Sequence, residues 1–207
     1  MRVGIDIDAT IVNTRHMMER DIIHKLLDEG LPFVYSNKDY DFKSCLGNMY
    51  DDLVQSYLSN EFEKRINTEA GFIKNAVEVI NLIHNAGHEI CIMTARHAGK
   101  DKWVKYEGVI PIEDDAYLEE TRQLLIHAGI PVSMFIVSDD KCAACKDLDI
   151  SVLVDDHPRH IGECYVSGIY TVCSRQSYNM DTLCHESFNG DWAELITNQS
   201  KLLRPID

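Results

Sequence analysis

Several apolar runs in this sequence end in acids, a hydroxyl or a cation. RVGI at residues 2–5 leads into Asp6-Ile7-Asp8-Ala9-Thr10, and HEICIM at 88–93 leads into Thr94-Ala95-Arg96. SMFIV at 133–137 is followed by Asp140-Lys141, and SVLV at 151–154 by Asp155-Asp156. Carboxylates gathered in one place repel one another unless a cation sits between them. One metal ion with two or three protein cations can neutralise a phosphate locally, whatever the global field. Taken singly, each group has an ordinary reading. Asp-x-Asp is a turn or helix cap in most sequences, Thr94 a helix N-cap, Arg96 a solvated loop cation, and Asp155-Asp156 a cap for the helix expected after Pro158.

The elements that must position these groups follow from periodicity. Residues 2–8 form a strand, and after Thr14 the pattern turns helical: Met18, Ile22 and Leu26 recur every four residues, widened by Ile23 and Leu27, until Gly30 and Pro32. A second helical stretch carries Leu53, Tyr57 and Leu58, so residues 14–70 read as a mostly helical insertion. From Asn75 onward helices alternate with short apolar strands ending near 94, 137, 156 and 173, with an irregular polar loop over 97–115 and an ambiguous tail after 180 apart from a short helix near Trp192. Such alternation predicts an α/β fold, a Rossmann-like three-layer sandwich around a central parallel sheet. Residues 1–13 and 71–207 form its core, and 14–70 a small helical cap inserted after the first strand. In open parallel sheets the site lies beyond the carboxyl ends of the strands, which is where the acids fall.

Composition bounds the partners. The chain of 207 residues has 34 acidic and 20 basic side chains, a formal charge of −14. That argues against a nucleic-acid polymer, which needs a basic stripe to displace phosphate counterions. Aspartates break the first apolar run, so neither a signal-peptide core nor a membrane segment is expected. Seven cysteines without a disulfide-framework spacing suit the reducing cytoplasm. Oligomeric state has no signature.

Asp-x-Asp-x-Thr after an apolar strand, then Thr94, Lys141 and the pair Asp155-Asp156, resembles the haloacid dehalogenase-like phosphatases, with the motifs in family order over residues 2–156. The helical insertion, the motif Thr94-Ala95-Arg96 and the later Tyr178-Asn179 resemble its 5′(3′)-deoxyribonucleotidase-like branch. The resemblance implies that Asp6 is the nucleophile, forming an acyl phosphate, and that Asp8 is the acid that protonates the departing alkoxide and then activates water. It implies Mg²⁺ held by Asp6, the backbone carbonyl of Asp8, and Asp155, with Asp156 bound directly or through a further contact. Thr94 and Lys141, joined by Arg96, would hold the phosphoryl oxygens. The implied activity is Mg²⁺-dependent hydrolysis of a small phosphorylated metabolite, a nucleoside monophosphate among the candidates. Phosphoryl transfer through the same intermediate and an idle binding scaffold are the alternatives.

Helix geometry chooses the lysine. A helix starting near Asp140 puts Lys141 in its first turn, whereas Lys146 lies about 7.5 Å further along the axis, away from the site. Position 9 departs from the family, which usually has glycine there; alanine lacks glycine's access to positive φ. Cys142-Ala143-Ala144-Cys145 lacks a second ligand pair and reads as two half-buried helix cysteines. His157 and His160 read as surface loop histidines. Phe33, Tyr35, Tyr40 and Phe42 read mostly as a small core within the insertion, with stacking on a nucleobase as the other reading.

Overall fold

The computed structural model of the protein describes residues 1–47, 49–58, 62–99, 103–108 and 110–205. The first apolar run becomes β1 (Arg2–Asp6), and the helical insertion supplies α1 (Thr14–Asp28), α2 (Phe42–Cys45), α3 (Asp51–Tyr57) and α4 (Glu63–Glu69). Then follow α5 (Ala76–Asn85), β2 (Glu89–Thr94), β3 (Val104–Glu107), α6 (Ala116–His127), β4 (Met134–Val137) and α7 (Lys141–Asp147). The chain continues through β5 (Ile150–Asp155), α8 (Pro158–Val166), β6 (Tyr170–Ser174), β7 (Glu186–Phe188) and α9 (Ala193–Thr197).

The strands form one seven-stranded sheet in the order β3-β4-β2-β1-β5-β6-β7. All neighbours run parallel except β3, which pairs antiparallel with β4. Burial on both faces explains why the central strands read as continuous apolar runs. Alternate residues of one strand feed two cores: Ile90 and Ile92 pack with α5 and α6 residues such as Ile80 and Leu125, while Cys91 and Met93 pack with Cys145 of α7 and Cys164 of α8. Two apolar clusters on opposite faces make the three layers. A third cluster, built on Ile22, Leu26, Phe42, Leu46, Val54 and Tyr57, lies among α1–α3.

Three expectations need correcting. The polar stretch 97–115 contains β3, an edge strand whose residues are mostly exposed and so carry no apolar alternation. Leu27 does not widen the buried stripe of α1 but stands 60% exposed, because the neighbouring short helices cover only the Ile22–Leu26 side. Cys142 and Cys145 are both buried, Cys145 completely, since α7 lays its small residues against the sheet. Among the described residues no helix is long and apolar enough to cross a membrane.

Candidate active site

β1 sits where the strand order reverses, with β2 on one side and β5 on the other. This is the crevice in which doubly wound sheets place their ligands. Asp6 ends β1 there and Asp155 ends β5, with side chains 7% and 0% exposed. Lys141 opens α7, whose N-cap Asp140 accepts the Ala143 amide at 2.8 Å, and that cap aims the lysine back at the strand ends. Its Nζ donates to Asp6 Oδ1 and, at 2.8 Å, to Asp155 Oδ2. Asp155 also accepts the His157 amide at 2.7 Å and His160 Nδ1 at 3.3 Å. Asp156 accepts the Tyr178 hydroxyl and, at 3.4 Å, Thr10 Oγ1, while its backbone carbonyl takes Asn179 Nδ2 at 2.6 Å. Carboxylate oxygens of Asp6, Asp155 and Asp156 lie within 4.8 Å of one another.

Their protonation reflects this crowding. Burial, only partly offset by Lys141, pushes Asp6 up to about 7, with the Asp155 charge adding to the rise. Burial and the charges of Asp6 and Asp155 hold Asp156 well above the usual carboxylate range. Asp155 is also desolvated, yet the Lys141 charge and the His160 hydrogen bond outweigh that and keep it low. Burial lowers Lys141, but the two carboxylates reverse the shift and hold it charged. Three buried carboxyl groups share one ammonium, so Asp6 and Asp156 hold their protons more tightly than usual, in an all-oxygen donor set. That set fits a hard divalent cation such as Mg²⁺.

The turn after Asp6 is fixed by the backbone. Ile7 carbonyl accepts the amides of Ile11 and Val12 at 2.9 Å each, and the Ala9 amide donates to Val12 O at 2.8 Å and Thr14 Oγ1 at 3.1 Å. Ser174 Oγ and Trp192 Nε1 reach in to the carbonyls of Ala9 and Thr10 at 2.9 and 2.8 Å. Ala9 adopts φ +54°, the left-handed conformation that glycine takes without strain. This turn presents Asp8 with 39% of its side chain exposed. Arg96 grips both oxygens of Asp8, at 2.8 Å from Nε and 2.6 Å from Nη2. Burial raises Asp8, but Arg96's charge and hydrogen bonds prevail and hold it below its ordinary value. Arg96 Nη1 also reaches Thr121 of α6 at 3.1 Å and Asn67 of α4 at 3.3 Å.

The structure thus gathers Asp6, Lys141, Asp155 and Asp156 into one buried cluster and sets Asp8 with Arg96 beside it. Thr94 is fully buried, its Oγ1 accepting the Arg96 amide at 3.0 Å, and it does not line the cavity. His160 is a correction: it is 2% exposed and braces Asp155, while His157 caps α8 through Nδ1. The signal was available, because His157 and His160 at i and i+3 share one helix face beside the acid pair. Of the four insertion aromatics, Phe42 joins the insertion's core with Phe33 and Tyr35 packed against it, as expected for most of them, whereas Tyr40 is 45% exposed and packs on His157 with ring centroids 4.0 Å apart. Arg15, at the cavity wall, was not foreseen. Its partners Glu19, Tyr40 O and Asp39 O are brought together only by folding of the insertion.

Asp6, Asp8, Arg96, Lys141, Asp155 and Asp156 line a cavity of about 560 Å³ between the strand ends and the helices of residues 14–69. No protein-family model matches the sequence, and no curated protein matches it. Solved structures do match. A haloacid dehalogenase family hydrolase from Deinococcus radiodurans, with bound phosphate and sodium, aligns over 99% of this chain and 98% of its own, at TM-score 0.64 and 13% identity. The fold is that of the haloacid dehalogenase-like hydrolases. A hydrolase of that kind from Bacillus subtilis bound to magnesium covers 95% and 97% at TM-score 0.55 and 12% identity. CbbY from Rhodobacter sphaeroides, in complex with xylulose-(1,5)bisphosphate, covers 91% and 93% at 0.54 and 11%.

Proposed function

We propose that this chain is a Mg²⁺-dependent phosphomonoesterase that works through a phospho-aspartyl intermediate on Asp6. The observation that carries the reading is the cluster of Asp6, Asp155 and Asp156 carboxylates within 4.8 Å of one another, with Lys141 among them, at the open end of the sheet. Structures of the same fold with bound phosphate, xylulose bisphosphate and magnesium support it. Asp6, Asp155, Asp156 and the Asp8 carbonyl would hold Mg²⁺, which when bound supplies charge to draw an anionic ester towards an anionic nucleophile.

The protein's own groups then divide the work. Lys141 orients Asp6 and is placed to hold a phosphoryl oxygen once one arrives. Asp6 attacks phosphorus and the ester oxygen leaves as an alcohol, protonated by Asp8. Asp8 then takes a proton from water, which attacks the acyl phosphate and frees Asp6. Arg96 grips Asp8 in the carboxylate form, which is the form the second step uses; for the first step the grip must loosen so that Asp8 carries a proton. Thr94 would act on the phosphoryl group through the backbone it buttresses at Arg96, and Arg96 itself is the cation nearest the incoming anion on that side. Residues 14–70 act as a cap that closes the cavity over the reaction and excludes water. The deoxyribonucleotidase-like branch is supported by this insertion and by Tyr178 and Asn179, both bonded to Asp156.

Phosphate release from p-nitrophenyl phosphate with Mg²⁺, in wild type and Asp6→Asn, tests the reading. Wild type should turn over and lose activity in EDTA, and Asp6→Asn should fall by at least about 10³-fold, as expected for loss of a nucleophile. Turnover preserved in Asp6→Asn would sink the nucleophile assignment, and an inert wild type the enzyme reading.

A further inference from the structure

The free cysteines of this chain do not share one environment. Six are buried, whereas Cys184, just before β7, is half-buried and open to a small solute. Its Sγ accepts from Arg175 Nη2 at 3.1 Å, and Nη1 of the same guanidinium is pinned by the carbonyls of Asn179 at 2.7 Å and Thr182 at 3.0 Å. Cys173, fully buried in β6, hydrogen-bonds the same sulfur. That bond, with the Arg175 charge, outweighs burial and brings Cys184 down to about 6, while it holds Cys173 above its ordinary range. At neutral pH the reachable sulfur is therefore an anion, and the buried one keeps its proton. The other thiols lack this combination. Cys45 also meets an arginine, at 3.1 Å, but it is buried and donates its S–H to Asp39 O at 3.3 Å. Burial pushes Cys91 up to about 12.

The two sulfurs bracket one loop, residues 174–183, and that loop fastens the acids. Ser174 Oγ and Gln176 Nε2 donate to Ala9 O at 2.9 and 3.2 Å. The Tyr178 hydroxyl bonds the Asp156 carboxylate, and Asn179 Nδ2 reaches Asp156 O at 2.6 Å and Ser174 O at 2.9 Å. We propose that Cys184 is a modification site for hydrogen peroxide and that its oxidised form closes to a disulfide with Cys173, tying off the loop that holds Asp156. The Cys184 thiolate attacks a peroxide oxygen; an S–O bond forms, the O–O bond breaks, and hydroxide leaves with the electron pair. Cys173 sulfur then attacks Cys184 sulfur, and the S–O bond breaks as hydroxide departs with the Cys173 proton as water. The two sulfurs together supply the electrons that reduce the peroxide. In a reducing compartment such a bond is transient, so it reports oxidant rather than stapling the fold. The inference concerns the sulfurs alone and does not depend on the phosphatase reading.

The test treats the reduced full chain with hydrogen peroxide at neutral pH, blocks remaining thiols with N-ethylmaleimide and maps the peptides by mass spectrometry. Peptides joined through Cys173 and Cys184, and released by dithiothreitol, are expected. Cys173→Ser should halt the reaction at a Cys184 sulfenic acid that dimedone traps. Joining through any other pair, or a Cys184 that stays fully alkylated, overturns the proposal. A second measurement needs no variant: in wild type at pH 7, iodoacetamide should modify Cys184 at least about tenfold faster than any other cysteine. Equal rates overturn it. Amide exchange over residues 175–183 should slow on oxidation and recover with dithiothreitol, and unchanged or faster exchange would show that the bond does not tie off the loop.

Discussion

On the sheet side of the cavity, polar groups are positioned by backbone: two strand ends and a helix start place Asp6, Asp155 and Lys141 so that the lysine bonds both acids and Asp155 also takes the His157 amide. On the helical side the surface is made by side chains of short helices that pack on one another around Phe42, Val54 and Tyr57. The first wall is dense with charge and buried; the second mixes apolar side chains with Arg15, Asp41, Lys43 and Glu63, and its apolar residues belong to a cluster separate from those of the sheet. The difference teaches how the labour is divided. Under the proposed phosphatase reading, chemistry is built where the sheet already dictates geometry, and selection where residues can be exchanged without disturbing it.

Perturbing each wall tests that division. Lys141→Met leaves Asp6 and Asp155 buried without their cation, and should destabilise the protein by about 3–5 kcal/mol while ending turnover. Saturating Mg²⁺ should restore part of the lost melting temperature, because a cation bound only to the folded state stabilises it by mass action. A melting temperature unchanged from wild type would show that the cluster is not charged as described. Val54→Ala, inside the helical cluster, should destabilise by about 2 kcal/mol through lost methyls and the void they leave. Hydrogen exchange should then quicken over residues 14–69 and not across β1, β2 and β5. Equal acceleration in both regions would erase the distinction between the two walls.

A smaller effect probes the turn between them. Ala9→Gly relieves a left-handed alanine, a strain of about 1–2 kcal/mol, against the extra freedom glycine has when unfolded. A net stabilisation of about 0.5–1 kcal/mol is expected in urea titration, and destabilisation would mean that the Ala9 methyl packs usefully. The smallest effect lies far from both walls, at His88. This residue is 3% exposed, donates from Nε2 to Arg204 O at 3.2 Å, and has no partner for Nδ1. Burial lowers its pKa, so the folded state binds fewer protons than the unfolded chain. Its contribution is therefore complete above the unfolded value of about 6.5 and is lost as pH falls through the folded one. His88→Leu should flatten the acid side of the stability profile, as urea midpoints between pH 5 and 8 would show.

The sheet side was the legible side. Asp6, Asp155 and Lys141 follow continuous apolar runs or open a helix, and period and helix rise place such residues without knowledge of the partners. The helical side was not. The insertion itself could be read from the four-residue spacing of Met18, Ile22 and Leu26, but the exposure of Leu27 depends on which neighbours cover α1. Arg15 acquires its role from carbonyls 24 and 25 residues away. β3 was missed for another reason. An edge strand with exposed side chains on both faces has no alternation to detect, and pairing with β4 alone makes it a strand.

The bond from Trp192 to the carbonyl of Thr10 joins positions 182 apart in sequence, and β1 itself is flanked by β2 and β5, so Arg2 registers with Glu89 and with Ile150. On the ribosome, the segment that carries Asp6 is therefore made before either of its neighbours and completed last. It emerges as an apolar ribbon with neither neighbour, gains one side after some ninety residues and the other only once β5 appears. Long-range pairing of this kind folds slowly and leaves edges open for a time. Nascent chains halted before β5 should accordingly need a chaperone's shelter, and the turn after Asp6 should gain its last fastening only when Trp192 arrives.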